Sequence, residues 1–91
     1  MHKTPTLTVI IPTFNEAGYI EDALKSVAFA DEIILIDSFS EDATLAIATP
    51  HVSKVLSREF DNFSNQKNEA LKHAKANGFY FWMQMSASPN P

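Results

Sequence analysis

Six side chains in this sequence stand where polar chemistry could be done: Pro12, Thr13, Phe14 and Glu16 in "PTFNE", Asp37 at the end of "EIILID", and Lys67 in "NQKNEALKHA". Asp37 closes the most apolar run in the chain, so its backbone would be held firmly by its neighbours. Its carboxylate could then accept hydrogen bonds from a nucleobase or a ribose, or instead cap the turn through Ser38 and Ser40 or the helix that follows. Phe14, a bulky aromatic beside turn residues, can stack on a planar ring, although core packing is the commoner use of a single phenylalanine. Lys67 lies one turn inside a helical pattern, where a cation opposes the helix dipole. Either a phosphate in front of it or plain solvation would account for it. Pro12 and Thr13 also read as an ordinary strand exit.

Elements that could position these residues are legible along the chain. Four β-rich runs, Leu7 to Pro12, Glu32 to Asp37, Val52 to Ser57 and Phe79 to Met85, alternate with three helical patterns. The order βαβαβαβ predicts an α/β fold with a mostly parallel, doubly wound sheet, and the continuous "TVII", "IILI" and "FYFWM" suit strands covered on both faces. The first helix is expected over about Glu16 to Ala28, with Asn15 as its N-cap. The second should be short, capped by Ser40 and closed by Pro50. In the third, Ser64 is the expected N-cap, Ala70, Leu71 and Ala74 the buried stripe, and Gly78 a left-handed C-terminal residue. In an open parallel sheet, ligands bind outside the carboxyl ends of the strands, and "PTFNE", "DSFSED", "REFDNFSNQKN" and "SASPNP" are the segments that fall there.

Ninety-one residues allow one small domain, and 45% hydrophobic residues with ten aromatics argue against disorder. A net charge of -4 supplies no basic field for nucleic acid or anionic lipid. Cysteine is absent, so disulfides and thiolate metal sites are excluded. No run approaches the length of a membrane span, and the first residues do not form a signal peptide. "PTFNEAG" has a single glycine and no Gly-rich phosphate loop occurs, which removes dinucleotide enzymes and P-loop NTPases. His2, His51 and His73 have no carboxylate partners at ligand spacing, and no metal is assigned to them. Asn62-Phe63-Ser64 matches a glycosylation sequon but reads as helix-initiating chemistry. A phosphorylation-type receiver would explain Asp37 at a strand end, yet it needs an acidic pair after the first strand, and Asn15-Glu16 supplies one acid.

Taken together, "TVIIPTFNEAGYIEDALKSV", "ADEIILIDSFSEDATLAIA" and "NQKNEALKHA" before an apolar strand resemble the start of family 2 glycosyltransferases of the GT-A fold, most of all the lipopolysaccharide-core glucosyltransferases. The resemblance runs from Leu7 to about Ser88. It implies a tail over residues 1–6, a nucleotide-sugar-binding half-domain over 7–88 and a tail over 89–91. It also implies that Pro12, Thr13 and Phe14 flank a uracil ring, that Glu16 approaches the nucleoside, that Asp37 takes the base or ribose, and that Lys67 approaches the diphosphate of a UDP-sugar. The expected setting is cytoplasmic, with a peripheral position at the inner membrane face as a variant.

The sequence departs from that family after the fourth strand. There the family carries Asp-x-Asp, which holds a magnesium or manganese ion, and here the positions read Ser86-Ala87-Ser88. Neutral hydroxyls are poor substitutes for the charged oxygens a hard cation requires, so metal use is in doubt. In the family the acceptor site and the catalytic base lie downstream of this point, so no catalytic residue is assigned and a chain ending at Pro91 is expected to lack full activity. A non-catalytic nucleotide-binding or interaction module is the alternative. With strand order 3-2-1-4, the run Phe79 to Met85 becomes an exposed apolar edge, and self-association is expected through it.

Overall fold

In the computed structural model, which describes residues 6–75 and 78–83, the chain forms a four-stranded, all-parallel sheet. The strands are β1 (Thr6–Thr13), β2 (Glu32–Asp37), β3 (Lys54–Ser57) and β4 (Gly78–Trp82), in the spatial order β3-β2-β1-β4. Helices α1 (Ile20–Ser26), α2 (Thr44–Ala48) and α3 (Phe63–Lys72) make the crossovers, and a single 3-10 turn (Thr49–His51) follows α2. The α/β class and the parallel sheet are those the alternating pattern predicts, and the order is the 3-2-1-4 of a doubly wound half-fold. No helix among the described residues is long and apolar enough to cross a membrane.

Pleating divides the two central strands between two cores. Val9, Ile11, Ile33 and Leu35 point to one face, where Ile20 and Leu24 of α1, Val27 just after it and Ala48 of α2 cover them. Ile10, Ile34 and Ile36 point to the other, against Ala70 of α3. All six residues of β2 are buried, which is why that strand reads as one unbroken apolar run rather than an alternation. Each fully buried isoleucine stabilises the fold by about 1.5–3 kcal/mol.

β4 is the exception to two-sided coverage. Its register places Phe79 and Phe81 beside Leu7 and Val9, on the α1 face, and Tyr80 and Trp82 beside Thr8 and Ile10, on the α3 face. α1 lies over β1 and β2, and Phe79 and Phe81 remain 67% and 51% exposed. Gln84 and Met85 lie outside the described residues.

The helix boundaries differ from the local signals in the sequence. α1 starts at Ile20, not Glu16, because the Asn15 side chain accepts from Glu41 N–H across the loops, at 2.7 Å, instead of capping its own helix. Residues 16–19 form a turn in which the Glu16 carbonyl accepts from Tyr19 and Ile20 N–H. α2 starts at Thr44, since Ser40 is drawn toward Asp37 and Asp42 accepts the Thr44 N–H. Pro50 sits inside the 3-10 turn, and β3 begins at Lys54 rather than Val52. At α3 the capping side chain is Asn62, which accepts from Asn65 N–H at 2.8 Å, and Ser64 lies within the first turn. Gly78 opens β4 with a φ of 148° instead of closing α3, whose last residue is Lys72.

Candidate functional site

At the carboxyl edge of the sheet one buried carboxylate ties the first two loops together. Register sets Thr13, the last residue of β1, beside Asp37, the last of β2. Thr13 Oγ1 donates to Asp37 Oδ1 at 2.6 Å, Ser40 Oγ donates to the same oxygen at 2.6 Å, and Ser40 N–H donates to Oδ2 at 2.7 Å. Asp37 is 0% exposed. The turn-capping reading of this residue is therefore realised, and the carboxylate acts by holding Thr13 and the Ser40 turn in place.

The loops after β1 and β2 are then laced side by side. Ser38 N–H donates to the Thr13 carbonyl, Asn15 N–H to Ser40 Oγ, Glu41 N–H to Asn15 Oδ1, Glu16 N–H to Thr44 Oγ1, and Ala17 N–H to Asp42 Oδ2. Thr44 Oγ1 in turn donates to Asp42 Oδ1. Pro12 and Thr13 are buried beneath this lacing, Glu16 is half-buried, and Phe14 is 53% exposed. Partial burial, with the negative charge of Asp42 adding to it, raises the Glu16 carboxyl above its ordinary pKa. Hydrogen bonds, the Thr44 hydroxyl first among them, lower that of Asp42.

Two residues here have left-handed backbones, Asn15 at φ 54° and Phe39 at φ 60°. Asparagine tolerates this region, whereas a bulky side chain pays about 1–2 kcal/mol for it. Phe39 stays 58% exposed, so burial offsets little of that.

Lys67 stands apart from these loops, on α3. It is half-buried, with Nζ 5.8 Å from the centre of the Tyr80 ring, and it lines a cavity of about 210 Å³ with Phe63, Ser64 and Trp82. Phe63 meets Phe60 and Trp82 edge-on, at centroid distances of 4.9 and 5.7 Å. The cavity thus joins one cation to an aromatic wall.

A network that the sequence did not suggest connects this side to the loops. Gln66 is 0% exposed; its Oε1 accepts from Arg58 Nη1 at 2.7 Å and its Nε2 donates to Ser38 Oγ at 3.3 Å. Arg58 also pairs with Asp61 at 2.8 Å, which with the Asn65 amide holds that carboxyl well below the ordinary range. Gln66 precedes Ala70 by one turn on the buried face, and that i, i+4 spacing was the available signal.

Ser86 and Ser88, the expected counterparts of metal-binding aspartates, lie outside the described residues. Among the described residues no three histidine, cysteine, aspartate or glutamate side chains converge where they could hold a metal ion.

Residues 8–84 match the family model described as Glycosyl transferase family 2. An uncharacterized glycosyltransferase of Rickettsia bellii (strain RML369-C) is 40% identical over 68 residues, which cover 74% of this chain and 23% of the relative. The SPbeta prophage-derived glycosyltransferase SunS of Bacillus subtilis (strain 168) is 34% identical over 82 residues, covering 86% of this chain and 19% of that protein. Among solved structures, glucosyl-3-phosphoglycerate synthase of Mycobacterium tuberculosis, in complex with Mn2+, UDP and glucosyl-3-phosphoglycerate, superposes with a TM-score of 0.70. At 24% identity over 86% of this chain and 33% of the neighbour, that likeness concerns the fold. The chain therefore spans about a fifth to a quarter of the length of these curated relatives.

Proposed function

The chain belongs to glycosyl transferase family 2, and from that premise we propose that it is the donor-binding part of a glycosyltransferase, taking the nucleotide of a UDP-sugar. The observation that carries this reading is the lacing of the two loops at the carboxyl edge by Asp37, with Phe14 held exposed beside it. The carboxyl edge of the strands is where an open parallel sheet takes its ligands. Thr13 and Pro12 set the backbone below Phe14, whose ring stacks on the base. Glu16 approaches the nucleoside, and Asp37 serves the base or ribose through the loop it holds. Lys67 supplies the charge for the diphosphate.

Transfer to an acceptor is proposed for the whole protein of which residues 7–88 are the donor half. The acceptor proposed is a lipopolysaccharide or other surface glycan, and the setting cytoplasmic, on the resemblance of the Leu7–Ser88 pattern. Ser86 and Ser88 in place of acids favour a second reading, in which the chain is a binding module without turnover; assay of sugar transfer from UDP-glucose separates the two.

Calorimetric titration of UDP with and without manganese tests donor binding. Binding is expected in both conditions, and Lys67→Ala should weaken UDP about tenfold, the order of a charge-assisted contact, while leaving uridine affinity unchanged. No heat of UDP binding in either condition would overturn the proposal.

Self-association through β4 is part of this reading. The strand carries no charge and no proline to blunt its edge, whereas the opposite edge carries Lys54. Sedimentation at tens of micromolar is expected to show dimers or larger species, and Phe81→Lys should shift the protein toward monomer. A monomeric parent chain under those conditions would refute it.

A further inference from the structure

A single arginine joins the end of β2 to the first two turns of α3. Arg58, the residue after β3, donates its N–H to the Asp37 carbonyl at 2.9 Å. Its guanidinium reaches in two directions: Nη1 donates to Gln66 Oε1 at 2.7 Å and to Asp61 Oδ1 at 2.8 Å, and Nη2 donates to Asp61 Oδ2 at 3.3 Å. Asp61 passes the constraint on, since it also accepts from Asn62 N–H at 2.7 Å and from the Asn65 amide at 2.8 Å, and Asn62 is the residue that caps α3. A backbone bond on one side and a planar fork on the other tie the start of the helix to the Asp37 strand end.

This brace holds one wall of a cavity. Phe63, Ser64 and Lys67 belong to the same two turns as Asn65 and Gln66, and with Trp82 of β4 they line the cavity of about 210 Å³. Arg58 is not among its lining residues. The side chains of Arg58 and Asp61 are 31% and 46% exposed, and an ion pair in that setting contributes little to stability. Its geometric effect is the larger one, because any shift of the helix start against Asp37 would carry Lys67 with it.

We infer that Arg58 is a positioning residue, which fixes Lys67 and the α3 wall of the cavity relative to the Asp37 loop so that one ligand can span both. This rests on the donor-binding reading, in which the loops take the nucleoside and Lys67 the diphosphate, and adds to it the residue that sets their spacing. Lysine is no equivalent at this position: its ammonium is a point charge on a flexible stem and lacks the rigid fork that meets Asp61 and Gln66 together.

The test is a double-substitution cycle, with calorimetric affinities for UDP and uridine and the urea midpoint as readouts, and with binding measured well below each midpoint. Arg58→Lys keeps the charge and should weaken UDP about fivefold, inside the roughly tenfold expected for Lys67→Ala, with uridine unchanged. In the Lys67→Ala background Arg58→Lys should change UDP less than about twofold, since a residue acting through Lys67 has nothing left to place. Asp61→Asn breaks the same fork from the other side while removing a negative charge; plain electrostatics would tighten UDP, whereas loss of the brace weakens it. A purely stabilising role would lower the urea midpoint and leave the UDP-to-uridine ratio alone. That result, additive losses from Arg58→Lys and Lys67→Ala, or tighter UDP binding by Asp61→Asn overturns the assignment while donor binding stands. A parent chain that binds neither UDP nor uridine overturns both.

Discussion

Replacing Asp37 with alanine is expected to lower folding stability by about 3–5 kcal/mol, read as a fall in the urea midpoint with an unchanged slope. The carboxylate is fully buried and accepts from the Thr13 hydroxyl, the Ser40 hydroxyl and the Ser40 N–H. Hydrogen bonds to a charged acceptor contribute about 1.5–3 kcal/mol each. The three do not add, because the two hydroxyls can turn toward each other or toward water once the carboxylate is gone; the Ser40 N–H cannot. For a chain of this length total stability lies at about 5–14 kcal/mol, so the substitution removes a large fraction of it. Asparagine provides the control. It keeps one acceptor oxygen and the shape, and the hydroxyls can reverse to accept from its amide, so Asp37→Asn should cost only about 1–2 kcal/mol. If both substitutions cost less than about 1 kcal/mol, the carboxylate does not hold the loops and they have some other support.

This hub also explains how far the sequence could be read. Strands and their order were legible because their signal is local and redundant: "EIILID" is buried along its whole length, and the alternation with helices leaves few topologies. Helix caps were not legible, for a reason visible in three residues. Asn15, Ser40 and Asp42 each have the chemistry of a local cap, and sequence alone assigned Asn15 and Ser40 that role. In the structure Asn15 pairs with Ser40 and Glu41, and Asp42 with Ala17, contacts 25 or 26 residues apart. Register made those contacts available by setting Thr13 beside Asp37, and no window of sequence contains both partners. The positions named for ligand chemistry fared unevenly. Phe14 is exposed on the laced loops, Asp37 is buried beneath them, and Lys67 lines a separate cavity whose link to the loops runs through Gln66.

That link supplies the second large effect expected here. Gln66→Ala removes a fully buried amide whose oxygen meets Arg58 and whose nitrogen meets Ser38, and it leaves a void between α3 and the loops. Arg58 keeps its pairing with Asp61, so the guanidinium is not stranded, and the loss divides between the Ser38 contact, the Arg58 contact and the void. About 2–4 kcal/mol is expected. Gln66→Glu separates polarity from volume. A carboxylate still accepts from Arg58 and gains its charge, and Ser38 can reverse to donate, so this variant should retain most of the stability near neutral pH. Ser38 directly follows Asp37, and Arg58 N–H donates to the Asp37 carbonyl at 2.9 Å, so loosening Gln66 also loosens the loop that Asp37 holds. Gln66→Ala should therefore weaken UDP more than its nearest control, Gln66→Glu, when both are measured well below their unfolding midpoints. Equal stability of the two variants would mean that Gln66 fills space and does not connect α3 to the loops.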